Sequence, residues 1–153
     1  RVSSVVGLLA AEIFGLKDRQ TQKYAHDLGM AFQLTNIIRD IGEDAARGRI
    51  YLPQDELARF GVTPSALLRR DGGDGFVALM AHQVARARAW YGRALGALPD
   101  ADRRSQRAGL AMAAIYRALL EEIERDGYRV LDRRIALTPL RKFAIAWRTA
   151  FRA

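Results

Sequence analysis

The sequence contains no cysteine, only four prolines and two histidines, and no long apolar run. Without cysteine, disulfide bonds and thiolate metal sites are excluded, which fits a reducing compartment. No apolar stretch approaches the roughly 20 residues that a membrane-spanning helix requires. His26 and His82 share no metal-binding spacing, so neither is predicted to be a ligand. These absences favour a cytoplasmic protein.

The start of the chain lacks a signal peptide, because Arg1 to Ser4 already lie in a helical pattern. It also lacks an initiator methionine, so we expect a fragment or a processed product. The chain has 153 residues, half of them hydrophobic. That is enough to bury the core of a single domain, which we predict to cover residues 1–153.

The net charge is +8, and residues 100–153 hold 12 Lys and Arg against 7 Asp and Glu. A basic surface suits nucleic acid, anionic lipid or a small phosphorylated substrate. A general preference for arginine explains the charge equally well. Charge alone therefore does not identify a partner.

Helix-forming residues dominate and strand-type alternation is nearly absent, so we predict an all-α protein. The predicted helices cover residues 1–14, 18–44, 54–60, 64–70, 76–98, 100–126 and 138–153. Thr63 is the expected N-cap before Pro64. Short connections between these segments predict an antiparallel helical bundle.

Four polar residues recur at intervals of three, four and four in the second predicted helix, namely Gln33, Asn36, Asp40 and Asp44. At about 100° per residue they share one face. Their neighbours are apolar enough for burial, and buried carboxylates are costly unless something compensates them. Mg²⁺ prefers oxygen ligands and shares its coordination with substrate phosphate. The stripe therefore predicts that Asn36, Asp40 and Asp44 bind Mg²⁺ beside a diphosphate.

Arg39 and Arg49 are placed near the same stripe, where guanidinium groups could neutralise phosphate oxygens. A solvated polar face with charges at the helix end is the alternative interpretation. It predicts Lys and Glu within the stripe and apolar residues only on the opposite face. Instead Ile37, Ile38 and Ile41 flank the acids on several sides. The residues alone leave both interpretations open.

Residues 28–53 resemble the second aspartate-rich motif of the squalene and phytoene synthases. The match runs from Gln33 to Asp44 and again from Arg47 to Pro53. Residues 2–8 resemble the helix that precedes this motif. Residues 133–142 look most like bacterial presqualene diphosphate synthases of hopanoid biosynthesis. The resemblance implies a helical bundle of the isoprenoid synthase type, of which this chain is an incomplete C-terminal part.

The resemblance also implies roles for single residues. Asp40 and Asp44 correspond to metal-binding aspartates and Arg39 to an arginine near the diphosphate, so these three are the predicted catalytic residues. The implied substrate-binding residues are Gln33, Asn36, Arg49, Tyr51, Arg141 and Phe32. The candidate walls of a water-excluding tunnel are Val5, Val6, Leu9, Phe32 and Ile37, each of which also fits an ordinary core position.

The implied reaction is a Mg²⁺-dependent head-to-head condensation of two farnesyl diphosphates to presqualene diphosphate, a squalene and hopanoid precursor. Mn²⁺ is an expected substitute for Mg²⁺, and NADPH is not expected in this first half-reaction. The family carries another aspartate-rich motif upstream of this one, and this sequence contains no second motif of that kind. The missing N-terminal half is therefore an expected partner, and the fragment alone is expected to be inactive.

Two other functions stay open at this stage. A phytoene synthase would use the longer geranylgeranyl diphosphate and would differ in the depth of its tunnel. A non-catalytic basic module would bind nucleic acid or acidic partners in a salt-sensitive manner. The acids of the stripe would repel a polyanion, so we predict no nucleic acid.

The last predicted helix is amphipathic. Its apolar side carries Leu140, Phe143, Trp147, Ala150 and Phe151, and its other side carries Arg141, Arg148 and Arg152. Such a helix can close a bundle with a solvated basic face. It can also contact anionic lipid, which would place the protein peripherally on the inner face of the membrane.

Overall fold

The structure, a computed structural model, describes residues 19–152, so the helix predicted over residues 1–14 lies outside the described residues. The helices are α1 Arg19–Ala46, α2 Gln54–Arg59, α3 Pro64–Leu68, α4 Gly75–Ala97, α5 Asp100–Arg103, α6 Arg107–Arg125 and α7 Pro139–Arg152. Every regular element in this part of the chain is a helix, which confirms the all-α prediction. None of the described helices is both long and apolar enough to cross a membrane.

The core lies between the long helices. α1 packs mainly along α4, and α7 packs against α6. One face of α4 is buried at Phe76, Met80, Val84, Ala87 and Tyr91, as the spacing of three and four residues predicts. Each large apolar side chain buried in this way contributes about 1.5–3 kcal/mol to folding.

The short helices begin where the sequence predicts. The Thr63 hydroxyl accepts the N–H of Ala66 at 3.2 Å, and Pro64 occupies the first helical position of α3. This cap satisfies one of the N–H groups that a helix start leaves without a partner. In chain order, α2 and α3 connect α1 to α4.

The single helix predicted over residues 100–126 is wrong, because a turn at residues 104–106 divides it into α5 and α6. The Ser105 hydroxyl donates to the Asp102 carbonyl oxygen at 2.8 Å, and Gln106 leaves helical backbone angles with φ −93° and ψ 16°. Side chains that compete for backbone groups interrupt helices in this way. Apolar periodicity does not contain that information.

The segment after α6 returns across the C-terminal half of α1. Gly127 ends α6 with φ 70°, a conformation that favours glycine, and Val130 and Leu131 are buried. A Cβ at Gly42 would lie 2.5 Å from the Val130 carbonyl oxygen and 2.7 Å from that of Leu131. Glycine at position 42 therefore lets this segment approach α1 closely, which brings Arg134 next to the acidic stripe.

Candidate active site

The stripe predicted from the sequence lies on the last third of α1. Asn36, Asp40 and Asp44 are all half-buried, and so is Gln33. α1 ends just beyond them, where the Asp44 carbonyl oxygen accepts the N–H groups of Arg47 at 3.0 Å and Arg49 at 2.8 Å. Residues four apart on a helix are surface neighbours, so these side chains share one site.

Asp40 is the centre of an ion-pair cluster. Arg39 holds its carboxylate in a two-point contact, with Nε 2.7 Å from Oδ1 and Nη2 2.5 Å from Oδ2. Arg134 approaches from the segment after α6, and its Nε lies 3.2 Å from Oδ1 of Asp40 and 3.7 Å from Oε1 of Glu43. Two guanidinium groups thus compensate a carboxylate whose side chain is only 21% exposed.

Arg39 is fixed by more than Asp40. Its hydrogen bond to the Asp40 carboxylate raises the guanidinium pKa above its ordinary value, although burial opposes this, and the Tyr116 hydroxyl adds to the rise. Arg39 therefore keeps its positive charge throughout the accessible pH range. A permanent cation at this place can bind an anionic ligand.

Asn36 supplies an unsatisfied oxygen. Its Oδ1 is buried and accepts no hydrogen bond from any residue of the described range 19–152. A buried acceptor without a partner costs about 1–3 kcal/mol. Such a cost is tolerated where a ligand supplies the missing partner.

The donor set fits the chemistry of Mg²⁺. One amide oxygen and two carboxylates are hard oxygen ligands of the kind that this ion takes. Oδ2 of Asp40 contacts a single guanidinium group and keeps a second lone pair, whereas Oδ1 contacts both Arg39 and Arg134. The described part of the chain groups no three His, Cys, Asp or Glu side chains for a metal. The stripe by itself therefore offers fewer acidic ligands than a complete metal site needs.

A cavity of about 400 Å³ opens beside the cluster. Its walls combine cations with an apolar surface from α6 and the following segment. The lining residues are Arg39, Met112, Ile115, Tyr116, Leu119, Arg134, Ala136, Leu137 and Lys142. A cavity lined by both cations and apolar side chains suits a ligand with an anionic head and an apolar tail.

The other predicted site residues lie in several places. Phe32 is half-buried, with its ring centroid 4.8 Å from that of Tyr116 and 6.0 Å from that of Tyr91. Arg49 and Tyr51 are exposed beyond the end of α1. Arg141 donates to Glu122 of α6 at 2.5 Å and does not line the 400 Å³ cavity.

Ile37 is half-buried beside the core, whereas Val5, Val6 and Leu9 lie outside the described residues. Of the five residues that the sequence predicts as tunnel walls, the structure describes only Phe32 and Ile37. Both of them pack against buried core residues of the bundle.

Sequence reasoning did not single out Arg134, Lys142 or Tyr116 as site residues. All three line the 400 Å³ cavity with Arg39. Arg134 and Lys142 belong to the segment that resembles presqualene diphosphate synthases, so the signal was present. Their distance along the chain from the stripe hid their proximity in space.

The squalene/phytoene synthase family model matches residues 1–141 of this chain. The chain belongs to the squalene/phytoene synthase family. A phytoene synthase of Mycobacterium tuberculosis is 42% identical to it over 151 residues, which cover 95% of this chain and 49% of that protein. Phytoene synthase 2 of Solanum lycopersicum is 36% identical over 147 residues, covering 92% and 47%. This family member thus spans about half the length of the relatives it matches.

Two solved structures share the fold of this chain. The squalene synthase HpnC from Alicyclobacillus acidocaldarius superposes with a TM-score of 0.71 at 30% identity, over 82% of this chain and 48% of that one. YisP from Bacillus subtilis gives a TM-score of 0.78 at 25% identity, over 95% and 58%. These similarities confirm the prediction of an isoprenoid synthase helical fold.

Squalene/phytoene synthases condense prenyl diphosphates head to head as prenyltransferases of isoprenoid biosynthesis. The matched relatives carry the names phytoene synthase and squalene synthase, so the names do not agree on one product.

Proposed function

We propose that this chain is the C-terminal part of a synthase that joins two farnesyl diphosphates into presqualene diphosphate and releases diphosphate. The observation that carries the proposal is the cavity beside Asp40. Its lining combines Arg39, Arg134 and Lys142 with Tyr116 and with apolar residues of α6 and the following segment. A prenyl diphosphate has the matching division into a charged head and a hydrocarbon tail.

The residues of the chain divide the work as follows. Arg39, Arg134 and Lys142 bind the diphosphate and offset the negative charge that grows on it as it leaves. Met112, Ile115 and Leu119 exclude water from the allylic cation that remains. Asp40 positions both guanidinium groups through its ion pairs.

Asn36, Asp40 and Asp44 would hold Mg²⁺, or Mn²⁺ in its place. When bound, the ion supplies positive charge that neutralises the leaving diphosphate. We further propose that the facing aspartate-rich motif comes from the half of the relatives' length that this chain does not span. NADPH has no role in this first half-reaction.

Phytoene synthesis from geranylgeranyl diphosphate is the second candidate. The 42% identity to a mycobacterial protein named phytoene synthase favours it. The two candidates use the same head-group residues, so the length of the accepted tail distinguishes them. Hopanoid precursor synthesis is the consequence of the first candidate only.

A nucleic-acid-binding module gains little support, because acids neutralise many of the C-terminal cations. Arg129 and Arg133 both pair with Asp126, and Arg141 pairs with Glu122. A polyanion would have to break these contacts before it could bind.

We propose that the enzyme is cytoplasmic and takes its lipid substrate from a membrane.

The experiment uses the chain extended to the full length of its relatives, supplied with Mg²⁺ and either farnesyl or geranylgeranyl diphosphate, without NADPH. Diphosphate release and the lipid product are measured together. We expect a cyclopropyl C30 diphosphate from farnesyl diphosphate, and none from the 153-residue chain alone. A C40 product made in preference would replace the first candidate by the second.

Two variants test the site itself. Asp40→Asn with Asp44→Asn should abolish turnover, whereas Asp100→Asn, at an exposed carboxylate at the start of α5, should leave it unchanged. Arg134→Gln should weaken binding of inorganic diphosphate, measured by calorimetry in the presence of Mg²⁺. Full turnover by the double variant would exclude the stripe from catalysis.

A further inference from the structure

The outer face of α7 is an exposed apolar stripe. Leu140, Phe143, Trp147 and Phe151 are 84%, 69%, 58% and 73% exposed. Their spacing of three, four and four residues places them on one side of the helix. The rings also contact one another, with centroids 6.2 Å apart for Phe143 and Trp147 and 4.7 Å apart for Trp147 and Phe151.

The bundle uses the opposite side of α7. Ile145 packs against the core cluster, and Arg141 is tied to Glu122 of α6. Within the described residues, the aromatic stripe therefore has no covering element. Four large apolar side chains in one exposed row are typical of an interaction surface.

The charge around the stripe indicates its partner. Residues 133–153 contain six Lys and Arg and no Asp or Glu, and three of these cations, Arg133, Arg134 and Arg141, pair with acids of other segments. Arg148 is exposed and shares a shallow hollow with Phe143, Ala144 and Trp147. An apolar helix face bordered by cations, with no acid in the segment, is complementary to an anionic lipid surface.

A second copy of the chain fits this surface less well. A symmetric dimer through the stripe would bring together two copies of α7, a helix that contains cations and no acid. Like charges that face each other across an interface oppose association. Anionic headgroups remove this repulsion, and tryptophan rings favour the boundary between headgroups and acyl chains.

We propose that the aromatic face of α7 docks on the surface of an anionic lipid bilayer. The helix lies in the plane of the interface, with Phe143, Trp147 and Phe151 among the acyl chains and Arg148 at the headgroups. Lys142, on the same helix, lines the 400 Å³ cavity, so docking holds that cavity close to the bilayer. The proposal goes beyond the proposed function, and its test needs no enzyme activity.

The chain offers a spectroscopic probe at the surface in question. It has two tryptophans, Trp90 and Trp147. Trp90 is half-buried beneath the Arg93 guanidinium, which lies 3.6 Å from its ring centroid. In a Trp90→Phe background, the emission of Trp147 reports on α7 alone, once circular dichroism has verified the helical content.

The experiment adds vesicles of phosphatidylcholine, or of phosphatidylcholine mixed with phosphatidylglycerol, to the full chain. Binding is measured by co-sedimentation, and insertion is measured by the emission of Trp147 and its quenching by brominated acyl chains. We expect binding to the anionic vesicles with a blue shift of Trp147. Binding should fall as salt is added, because the cations at the surface are screened.

Paired variants separate the apolar and the charged contributions. Phe143→Ser with Phe151→Ser should lower vesicle affinity at least about tenfold, because two buried rings are lost. Leu68→Ser with Val77→Ser, at apolar residues 43% and 53% exposed elsewhere, is the matched control and should change nothing. Arg148→Gln should lower affinity about fivefold, whereas Arg104→Gln should not.

Three results would overturn the proposal. The first is equal binding to neutral and anionic vesicles, or no binding to either by a folded chain. The second is an equal loss of affinity in the control variants. The third is shielding of Trp147 from acrylamide without vesicles, either through self-association or in the chain extended to the length of its relatives, since the stripe would then be a protein interface.

Discussion

The two ends of α1 bury carboxylates in opposite ways. Near its start, the Thr21 hydroxyl donates to Asp102, and both side chains are inaccessible, at 0% and 1% exposed. Tyr24 and Gln106 are buried beside them, at 1% and 3%. A neutral hydroxyl contacts this carboxylate.

At the other end, Asp40 is 21% exposed, has two guanidinium partners and lies beside a 400 Å³ cavity. The difference teaches how to separate structural from functional acids in this bundle. A carboxylate sealed with a neutral partner holds elements together. A carboxylate that assembles cations at a cavity is placed to serve a ligand.

The largest expected effect comes from Gly42→Ala. The new methyl group would meet two backbone carbonyl oxygens at 2.5 Å and 2.7 Å, and backbone cannot move aside as a side chain can. We expect the free energy of unfolding to fall by about 3 kcal/mol, at the upper end of overpacking costs. Urea unfolding followed by circular dichroism measures it. Diphosphate binding should also weaken, because Arg134 is displaced from Asp40.

Gly92→Ala is the matched control for that change. Gly92 lies within α4 with nothing near the position of a Cβ. Alanine should therefore stabilise the chain by about 0.5–1 kcal/mol, through the better helix propensity of alanine. If both alanine variants unfolded alike, close approach at Gly42 would not be what positions the segment carrying Arg134.

Asp102→Ala tests the start of α1, here called the sealed end, where Asp102 is buried beside Thr21. The substitution removes a buried hydrogen bond and leaves the Thr21 hydroxyl without this acceptor, which should cost about 1–3 kcal/mol. Asp132→Ala, at an exposed carboxylate, should change stability by less than about 0.5 kcal/mol. Diphosphate binding should be unaffected in the folded fraction of both variants. Weakened binding in Asp102→Ala at full folding would contradict the division between the two ends.

Alkaline pH should destabilise the protein in part through Tyr24, at the sealed end, and in part through Tyr91, whose pKa burial also raises. Burial raises the pKa of Tyr24 to about 12 from its usual 10, partly offset by the Arg103 charge. Because the folded pKa is the higher one, the stabilisation is complete below pH 10 and is lost as pH rises towards 12. At pH 11 the loss from Tyr24 is about 1.4 kcal/mol. Urea midpoints between pH 8 and pH 11 measure it, and Tyr24→Phe should flatten the decline.

The sequence predicted much of this arrangement, because helix periodicity and caps are local. The start of α3 at Pro64, the end of α1 just beyond Asp44 and the polar stripe all follow from residues close in the chain. The break at Ser105 was missed, since it depends on a side chain that bonds to the backbone, which apolar periodicity does not show. Arg134 was missed because it lies far along the chain from Asp40, and its approach requires Gly42 to meet the segment after α6.

The smallest expected changes in stability come from replacing two buried tyrosines, Tyr91 and Tyr24, by phenylalanine. The Thr35 hydroxyl donates to the Ala31 carbonyl at 2.8 Å, so its contact of 3.0 Å with the Tyr91 hydroxyl has tyrosine as the donor. Tyr91→Phe should therefore cost about 1 kcal/mol. The Tyr24 hydroxyl is buried without a partner among the described residues, so Tyr24→Phe should stabilise the chain slightly.

Gly109 provides an independent check on Tyr24. A Cβ at Gly109 would lie 2.6 Å from the Tyr24 hydroxyl oxygen, an atom that phenylalanine lacks. Gly109→Ala should therefore be destabilising alone and better tolerated together with Tyr24→Phe, which a double-mutant cycle on urea midpoints measures. If the two effects were additive, the Tyr24 hydroxyl would not occupy the space beside Gly109. The sealed end would then have room for a hydrogen-bond partner of that hydroxyl.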